Sequence, residues 1–194
     1  METRSENTRH TLDRSAWVQL ATELLAEDGL AGVRVEVLAK QLGVTKGSFY
    51  WHFKDRQALL EAVLETWREG RVRDSARQAE ATPATAREQI RRVIDAYSIR
   101  PNRKGVRIEL AIRDWARRDA QAAAAVEDVD RARLDDATAL FRLGGFSEND
   151  ARMRALLLYT HSFGLSMMVY TRMADDIGQL HQQVTRLISG EETR

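Results

Sequence analysis

The chain has 194 residues with 43% hydrophobic side chains, and its 30 basic residues nearly balance its 29 acidic ones. This composition excludes wholesale disorder and gives room for one compact unit, or for a small module joined to a larger one. The near-neutral charge excludes a protein that coats nucleic acid by bulk charge, so DNA binding would need a local basic patch. The chain has no cysteine, which excludes disulfides and thiolate metal sites and suits the reducing cytoplasm.

Three helices are predicted in the first part of the chain. Residues 1–10 are polar and charged, which predicts a flexible N-terminal arm and lacks the apolar core of a secretory signal. Apolar residues at helical spacing then predict helices over residues 11–28, 35–42 and 46–52. Gly29 is expected to end the first of them in the left-handed conformation. A tight turn with another glycine separates the two short helices.

Six further helices are predicted in the rest of the chain, and the fourth helix, from about residue 55 to 81, links the two halves. The fifth helix is predicted to begin after the break at Thr82-Pro83, the sixth carries Trp115, and the seventh covers about 119–143. The eighth is predicted to reach about Tyr170, and the ninth carries an apolar stripe that ends at Ile188. With no credible strand pair, the predicted fold class is all-α with about nine helices. It divides into a three-helix helix-turn-helix domain over residues 11–56 and a C-terminal helical bundle over residues 57–194.

The most informative segment is residues 38–55, with the sequence LAKQLGVTKGSFYWHFKD. Its two short amphipathic helices and glycine turn let the second helix project into a major groove, which is wide enough for one helix. Val44 and Phe49 are expected to anchor this helix inward. The segment from Lys40 to Arg56 contains four basic residues and one acidic residue. This local excess of about three positive charges is typical of a DNA-contacting surface.

The outward residues of this segment are the candidate DNA contacts. Small side chains at the tip allow close approach to base edges, and longer side chains with donors reach flanking phosphates. The candidates for base edges are Thr45, Gly47, Ser48 and Trp51, and those for phosphates are Lys46, Tyr50, His52 and Lys54. The same segment also fits a helical bundle in which Phe49 and Phe53 have core roles alone.

The segment resembles the DNA-binding domain of the tetracycline-repressor (TetR) family. The matching residues are LLAEDGL at 24–30, Leu38-Ala39, LGV at 42–44 and GSFYWHFKD at 47–55. The resemblance implies that residues 45–52 form the recognition helix. It also implies phosphate contacts by Tyr50, His52 and Lys54, and a phosphate or base contact by Lys46. Arg34 departs from the family pattern, because many members have a capping serine or threonine before the second helix; we expect Arg34 to meet a phosphate.

The same resemblance implies a function. Members of the family are DNA-binding transcriptional regulators, most often repressors, which bind a near-palindromic operator as homodimers and are released by a small-molecule ligand. We expect the same of this chain, acting in the cytoplasm on double-stranded operator DNA, with activation as an alternative to repression. A different alternative is a helical small-ligand-binding or protein-interaction module with a vestigial DNA-binding head, against which the basic excess at the recognition helix argues.

In the resembled family the C-terminal half binds the ligand and forms the dimer. Bulky side chains with a few polar tips suit a mostly apolar pocket, although the same stripe also fits an ordinary core. The pocket candidates are Trp67, Tyr97, Trp115, Phe141, Tyr159, His161, Phe163 and Met167. A lone histidine on an apolar face is more often a core residue with a satisfied hydrogen bond than a ligand contact, so both roles stay open for His161.

Residues 155–171 contain no charged side chain. This run is slightly short for a bilayer-spanning helix and includes several polar residues, so a buried helix is expected rather than a membrane span. The ninth helix has an apolar stripe of near-heptad spacing that suits a partner helix. We therefore predict a homodimer through a four-helix interface built from helices eight and nine of each subunit.

Sequence motifs of catalysis and metal binding are absent. The four histidines are scattered, and there is no His-Glu-x-x-His, no phosphate-binding glycine-rich loop and no Gly-x-Ser-x-Gly elbow. An all-helical enzyme without a cofactor motif would be unusual. The sequence therefore predicts that the protein is not an enzyme and that it has no metal site and no cofactor.

Overall fold

The computed structural model describes residues 13–98, 103–169 and 174–191. All regular secondary structure in these ranges is helical, which confirms the all-α class and the predicted number of helices. The helices are α1 Arg14–Gly32, α2 Val35–Gln41, α3 Lys46–Tyr50, α4 Arg56–Ala79, α5 Ala86–Ser98, α6 Arg103–Ala116, α7 Ala120–Leu143, α8 Glu148–Met167 and α9 Ala174–Ser189. The arm predicted over residues 1–10 lies outside the described residues.

Helix α1 begins and breaks where its sequence dictates. Asp13 caps its start, because the carboxylate accepts hydrogen bonds from the hydroxyl of Ser15 (2.6 Å) and the backbone N–H of Ala16 (3.0 Å). These two hydrogen bonds, first that from Ser15, hold the pKa of Asp13 below its ordinary value. At Gly29 the backbone has φ 67° and ψ −167°, which interrupts the helix at the predicted residue, and a short helical turn follows as far as Gly32.

The chain forms two compact units, an N-terminal unit Met1–Thr66 and a C-terminal unit Trp67–Arg194. The sequence placed the domain boundary between residues 56 and 57, whereas the structure divides the chain inside α4, between residues 66 and 67. In the N-terminal unit α2 packs against both α1 and α3. The core of this unit includes side chains that are at most 1% exposed, among them Trp17, Leu25, Leu38, Phe49 and Leu59.

The C-terminal unit is organised around α7, which packs against α5, α6 and α8, while α9 packs against α5 and α8. Its core includes the buried side chains of Ile90, Ile94, Leu140, Phe141, Leu158 and Ile188. Helix α8 ends at Met167, short of the predicted end at Tyr170, because Met168 has extended backbone (φ −81°, ψ 146°). Tyr170 itself is outside the described residues. None of the described helices combines the length and the apolar character needed to cross a membrane.

The C-terminal unit also buries an ion pair between α6 and α7. Arg133 is 4% exposed and Glu109 is 6% exposed. Two hydrogen bonds join them, from Nη1 to Oε1 (2.9 Å) and from Nη2 to Oε2 (3.1 Å). Arg113 lies beside this pair and donates to both Glu109 and Asp130. The guanidinium groups of Arg113 and Arg133 lie 4.5 and 5.4 Å from the ring centre of Phe163, within the range of a cation–π contact.

Candidate DNA interface

The turn between α2 and α3 is closed by its glycine. Gly43 has a φ of 70°, a left-handed conformation that side chains other than glycine adopt only with strain. Its backbone N–H donates to the carbonyl of Lys40 (3.2 Å), and the N–H of Val44 donates to that of Ala39 (2.9 Å). This double hydrogen bond is the Schellman ending of a helix. It fixes the direction in which the chain enters α3.

An aromatic cluster then fixes which face of α3 points inward. Phe49 is fully buried, with its ring centre 5.4 Å from that of Trp17 in an edge-to-face contact and 5.5 Å from that of Phe53. Such pairs add to the stability gained from burying the rings themselves. Because Phe49 occupies the inner face of a helix of five residues, the residues on its opposite face are directed to solvent.

The structure leaves all nine predicted DNA contacts accessible at least in part. Trp51 is 87% exposed and Tyr50 is 62% exposed, which is unusual for large aromatic side chains. The others that are exposed are Arg34, Thr45, Lys46, Gly47 and Lys54, and the half-buried ones are Ser48 and His52. The nine residues belong to α3, the residue before it, the segment after it and the residue before α2, so they share the helix-turn-helix of the N-terminal unit.

The two helix starts at this surface lack side-chain caps. Thr45 is at the N-cap position of α3 and Arg34 at that of α2, yet neither side chain makes a capping hydrogen bond. The backbone N–H of Ser48 donates instead to the carbonyl of Thr45 (3.1 Å). The hydroxyl of Thr45 is therefore not committed to holding the helix start.

Two charges of this surface differ from their sequence interpretation. Arg56 was counted in the basic excess, but its half-buried guanidinium donates to the backbone carbonyls of Leu30 and Val33 and so holds the end of α1. Lys46 is paired: its Nζ lies 2.7 Å from Oε1 of Glu36. Glu36 lies outside the segment from Lys40 to Arg56 and reduces the basic excess around α3, and its ten-residue separation from Lys46 does not predict the contact.

The pocket candidates of the C-terminal unit fall into three groups. Four are buried: Trp67, Trp115, Phe141 and Tyr159. Phe163 is half-buried and stacks on Tyr159, with ring centres 6.4 Å apart. Met167 is 71% exposed and lines no interior of the single chain. The side chain of Tyr97 lies outside the described part of the chain. The burial of these four side chains is compatible with both interpretations of the stripe, as pocket walls and as ordinary core.

His161 has a partner that the sequence did not reveal. Its Nε2 lies 2.8 Å from Nδ1 of His181 on α9, and the two rings are parallel within 3°. Burial lowers the pKa of both imidazoles; the facing His181 lowers that of His161 further, and Asp95 partly offsets the shift of His181. Within the described ranges, no group of three or more histidine and acidic side chains could hold a metal ion.

Comparisons with known sequences identify the first unit. Residues 18–63 match the family model of bacterial regulatory proteins, tetR family. The tetracycline repressor of class C from Escherichia coli is 44% identical over 54 residues, 28% of this chain and 25% of that protein. The HTH-type transcriptional regulator AcrR from Shigella flexneri is 35% identical over 60 residues, 31% of this chain and 25% of that protein. The chain thus matches about a quarter of the length of these curated relatives.

Solved structures match over nearly the whole chain. A transcriptional regulator from Saccharomonospora viridis in complex with choline has a TM-score of 0.73 at 20% identity, covering 92% of this chain and 96% of that one. FadR from Bacillus subtilis in complex with stearoyl-CoA has a TM-score of 0.64 at 18% identity, covering 93% and 100%. These identities show a shared fold. Together with the family match, the geometry of α1 to α3 shows that the N-terminal unit is a helix-turn-helix domain of the tetR family of bacterial regulatory proteins.

Proposed function

We propose that this protein is a transcriptional repressor that binds a near-palindromic operator as a homodimer in the cytoplasm and releases it when a small molecule binds. The observation that carries the proposal is the outward face at α3, where Trp51 is 87% and Tyr50 is 62% exposed beside a fully buried Phe49. Exposed aromatic side chains of this size point to a binding surface. The match of residues 18–63 to a family of bacterial regulators supports double-stranded DNA as the partner.

The proposed contacts are of two kinds. Thr45, Gly47, Ser48 and Trp51 approach base edges in the major groove, whereas Arg34, Tyr50, His52 and Lys54 hold phosphates. Base contacts carry sequence preference, and phosphate contacts carry affinity that weakens with salt. In a dimer of this kind the two recognition helices lie roughly 34–36 Å apart, one turn of DNA, so each subunit reads one half of the operator.

The proposed dimer forms through α8 and α9. Both helices carry large apolar side chains at the surface of the single chain. These are Met153 (50% exposed), Leu156 (54%) and Leu157 (39%) on α8, and Leu180 (54%) and Leu187 (65%) on α9. The residues on α8 recur at helical spacing, and Gly164, further along, has open space around it that admits a neighbouring helix. Met167, exposed at the end of α8, is suited to the same face.

The proposed ligand site lies in the C-terminal unit. Choline and stearoyl-CoA are bound in two proteins of this fold, which supports a small molecule as the effector here. Its walls would come from Trp67, Trp115, Phe141, Tyr159, His161 and Phe163. A ligand that binds more tightly to a state in which the spacing of the recognition helices no longer matches DNA lowers operator affinity. About 1.4 kcal/mol of such coupling is tenfold in affinity.

Selection from fragmented genomic DNA tests the function, with affinities then measured by fluorescence anisotropy. We expect a two-fold symmetric site that binds at least about 10³-fold more tightly than random DNA at physiological salt. Retention of random fragments alone would favour the module with a vestigial head.

Sedimentation tests the dimer. Leu156→Lys should give monomers with weakened operator binding, while Leu143→Lys, at an exposed apolar residue of α7, should remain dimeric.

A further inference from the structure

Glu36 and Lys46 join the two helices of the helix-turn-helix. Glu36 is the second residue of α2 and Lys46 is the first residue of α3. Nζ of Lys46 donates to Oε1 of Glu36 over 2.7 Å, with the two side chains 58% and 60% exposed. The hydrogen bond from Lys46 is the largest cause that holds the pKa of Glu36 below its ordinary value. A charged carboxylate thus lies among the proposed DNA contacts.

Neither stability nor general DNA affinity explains this ion pair. Exposed pairs contribute little to folding, because water screens the attraction and two long side chains lose freedom. A carboxylate near phosphates repels DNA, and this one also neutralises the adjacent lysine. An acid at this position therefore lowers affinity for DNA of any sequence. Discrimination between sequences is the role that remains for it.

The chemistry of the pair matches one base pair. In the major groove a carboxylate accepts a hydrogen bond from the N4 amino group of cytosine, and a lysine donates to O6 and N7 of guanine. Adenine also offers an amino group, but its N7 acceptor beside that group repels a carboxylate. Thymine offers a carbonyl and a methyl group. A cytosine paired with guanine is thus the one partner that satisfies both Glu36 and Lys46.

We propose that Glu36 is a specificity-determining residue that reads a C·G base pair in each half-site together with Lys46. The proposal rests on the DNA-binding function proposed above and extends the reading surface from α3 to α2. It also reassigns Lys46, whose charge is paired with Glu36 in the free protein and directed to a base in the complex. Lys46 therefore does not behave as a phosphate contact.

Selection from a duplex pool with randomised half-sites tests the proposal with the full-length protein. We expect the parent to select C·G at one position of each half-site and to lose about tenfold in affinity when A·T replaces it. Glu36→Gln should change the preference there to A·T, because a carboxamide pairs with N6 and N7 of adenine. Glu36→Ala should accept every base pair at that position within about twofold.

Salt titrations and a matched control complete the experiment. Lys46→Met should leave the slope of log affinity against log salt unchanged, whereas Lys54→Ala should reduce it by about one. Glu27→Gln removes the same charge from an exposed residue of α1 and should keep the parent's base preference. Thermal melting of Glu36→Gln should match the parent, since the side chain is exposed.

Two results would overturn the proposal while leaving DNA binding intact. One is selection of the parent's site by both Glu36 variants. The other is a salt slope for Lys46→Met that falls as much as that for Lys54→Ala, which would make Lys46 a phosphate contact. If the parent itself selects no site, the proposed function fails together with this inference.

Discussion

The two units of the chain use charged residues in opposite ways. In the helix-turn-helix, Arg34, Lys46 and Lys54 are exposed around a helix that is anchored by Phe49. In the C-terminal unit, Arg133 and Glu109 are 4% and 6% exposed and hydrogen bond to each other. An exposed charge is available to a partner molecule, whereas a buried pair holds together the helices that carry it. Substitutions of these charged residues should therefore change DNA binding in the N-terminal unit and stability in the C-terminal unit.

Arg133→Met should have the largest effect on the free energy of unfolding, a loss of about 2–3 kcal/mol, because Glu109 would stay buried with Arg113 as its remaining partner and without its two-point contact. Urea unfolding followed by circular dichroism measures it. The double variant Arg133→Met/Glu109→Leu should recover most of the loss, since it leaves no buried carboxylate. Arg118→Met is the control, because its ion pair with Asp114 is exposed and worth under about 1 kcal/mol. Equal losses from Arg118→Met and Arg133→Met would contradict the contrast between buried and exposed charges.

Gly43→Ala should cost about 1–2 kcal/mol of stability, because an alanine at φ 70° is strained in the left-handed conformation. Gly70→Ala provides the opposite case. Gly70 lies inside α4 with no atom near an added Cβ, so alanine there should stabilise the protein by about 1 kcal/mol. Thermal unfolding of the two variants measures the difference. A neutral Gly43→Ala would mean that the turn does not require its glycine.

The sequence predicted the N-terminal unit in detail because its determinants are local. Gly29 interrupts α1, and Gly43 follows the end of α2, because each glycine adopts a positive φ. Phe49 and Trp51 lie on opposite faces of one turn, so helical spacing alone separates buried from exposed. The family match over residues 18–63 confirms the resemblance that these residues carry.

The sequence did not predict contacts between helices. Glu36 and Lys46 meet across a turn, Arg56 reaches back to the end of α1, and His161 meets His181 from a different helix. Each contact depends on how two helices pack, which periodicity within either helix does not determine. The ion pair of Glu109 and Arg133 joins residues 24 positions apart and has no motif. In the C-terminal unit, the contacts that the sequence did not predict therefore join different helices.

Trp51→Ala should lower operator affinity by about tenfold, or about 1.4 kcal/mol, and leave stability unchanged, because the side chain is 87% exposed. Phe49→Leu is the matched comparison, since it changes an aromatic residue of the same helical turn that is fully buried. It should lower stability first and DNA binding only as a consequence. Anisotropy titrations and thermal unfolding of both variants separate these effects. A Trp51→Ala protein that unfolds more easily than Phe49→Leu would reverse the assignment of faces.

The smallest expected effect is a pH dependence from the pair of His161 and His181. Burial lowers the pKa of both imidazoles in the folded protein, so below about pH 6.5 the unfolded chain binds protons more readily. The free energy of unfolding should therefore fall as the pH is lowered from 7.5 towards 5.5. When both imidazoles are protonated, all their ring nitrogens are donors, so the hydrogen bond that joins α8 to α9 loses its acceptor.

Urea unfolding at these two pH values measures the effect, with His181→Gln as the test and His52→Gln as the control. His181→Gln should flatten the decline, because one titrating group is gone and His161 no longer faces an imidazole. His52→Gln keeps both members of the pair and should leave most of the decline in place. Because α8 and α9 also carry the proposed dimer face, the same titration followed by sedimentation asks whether loss of this hydrogen bond weakens dimerisation. A decline that is identical in all three proteins would assign the pH dependence to other groups.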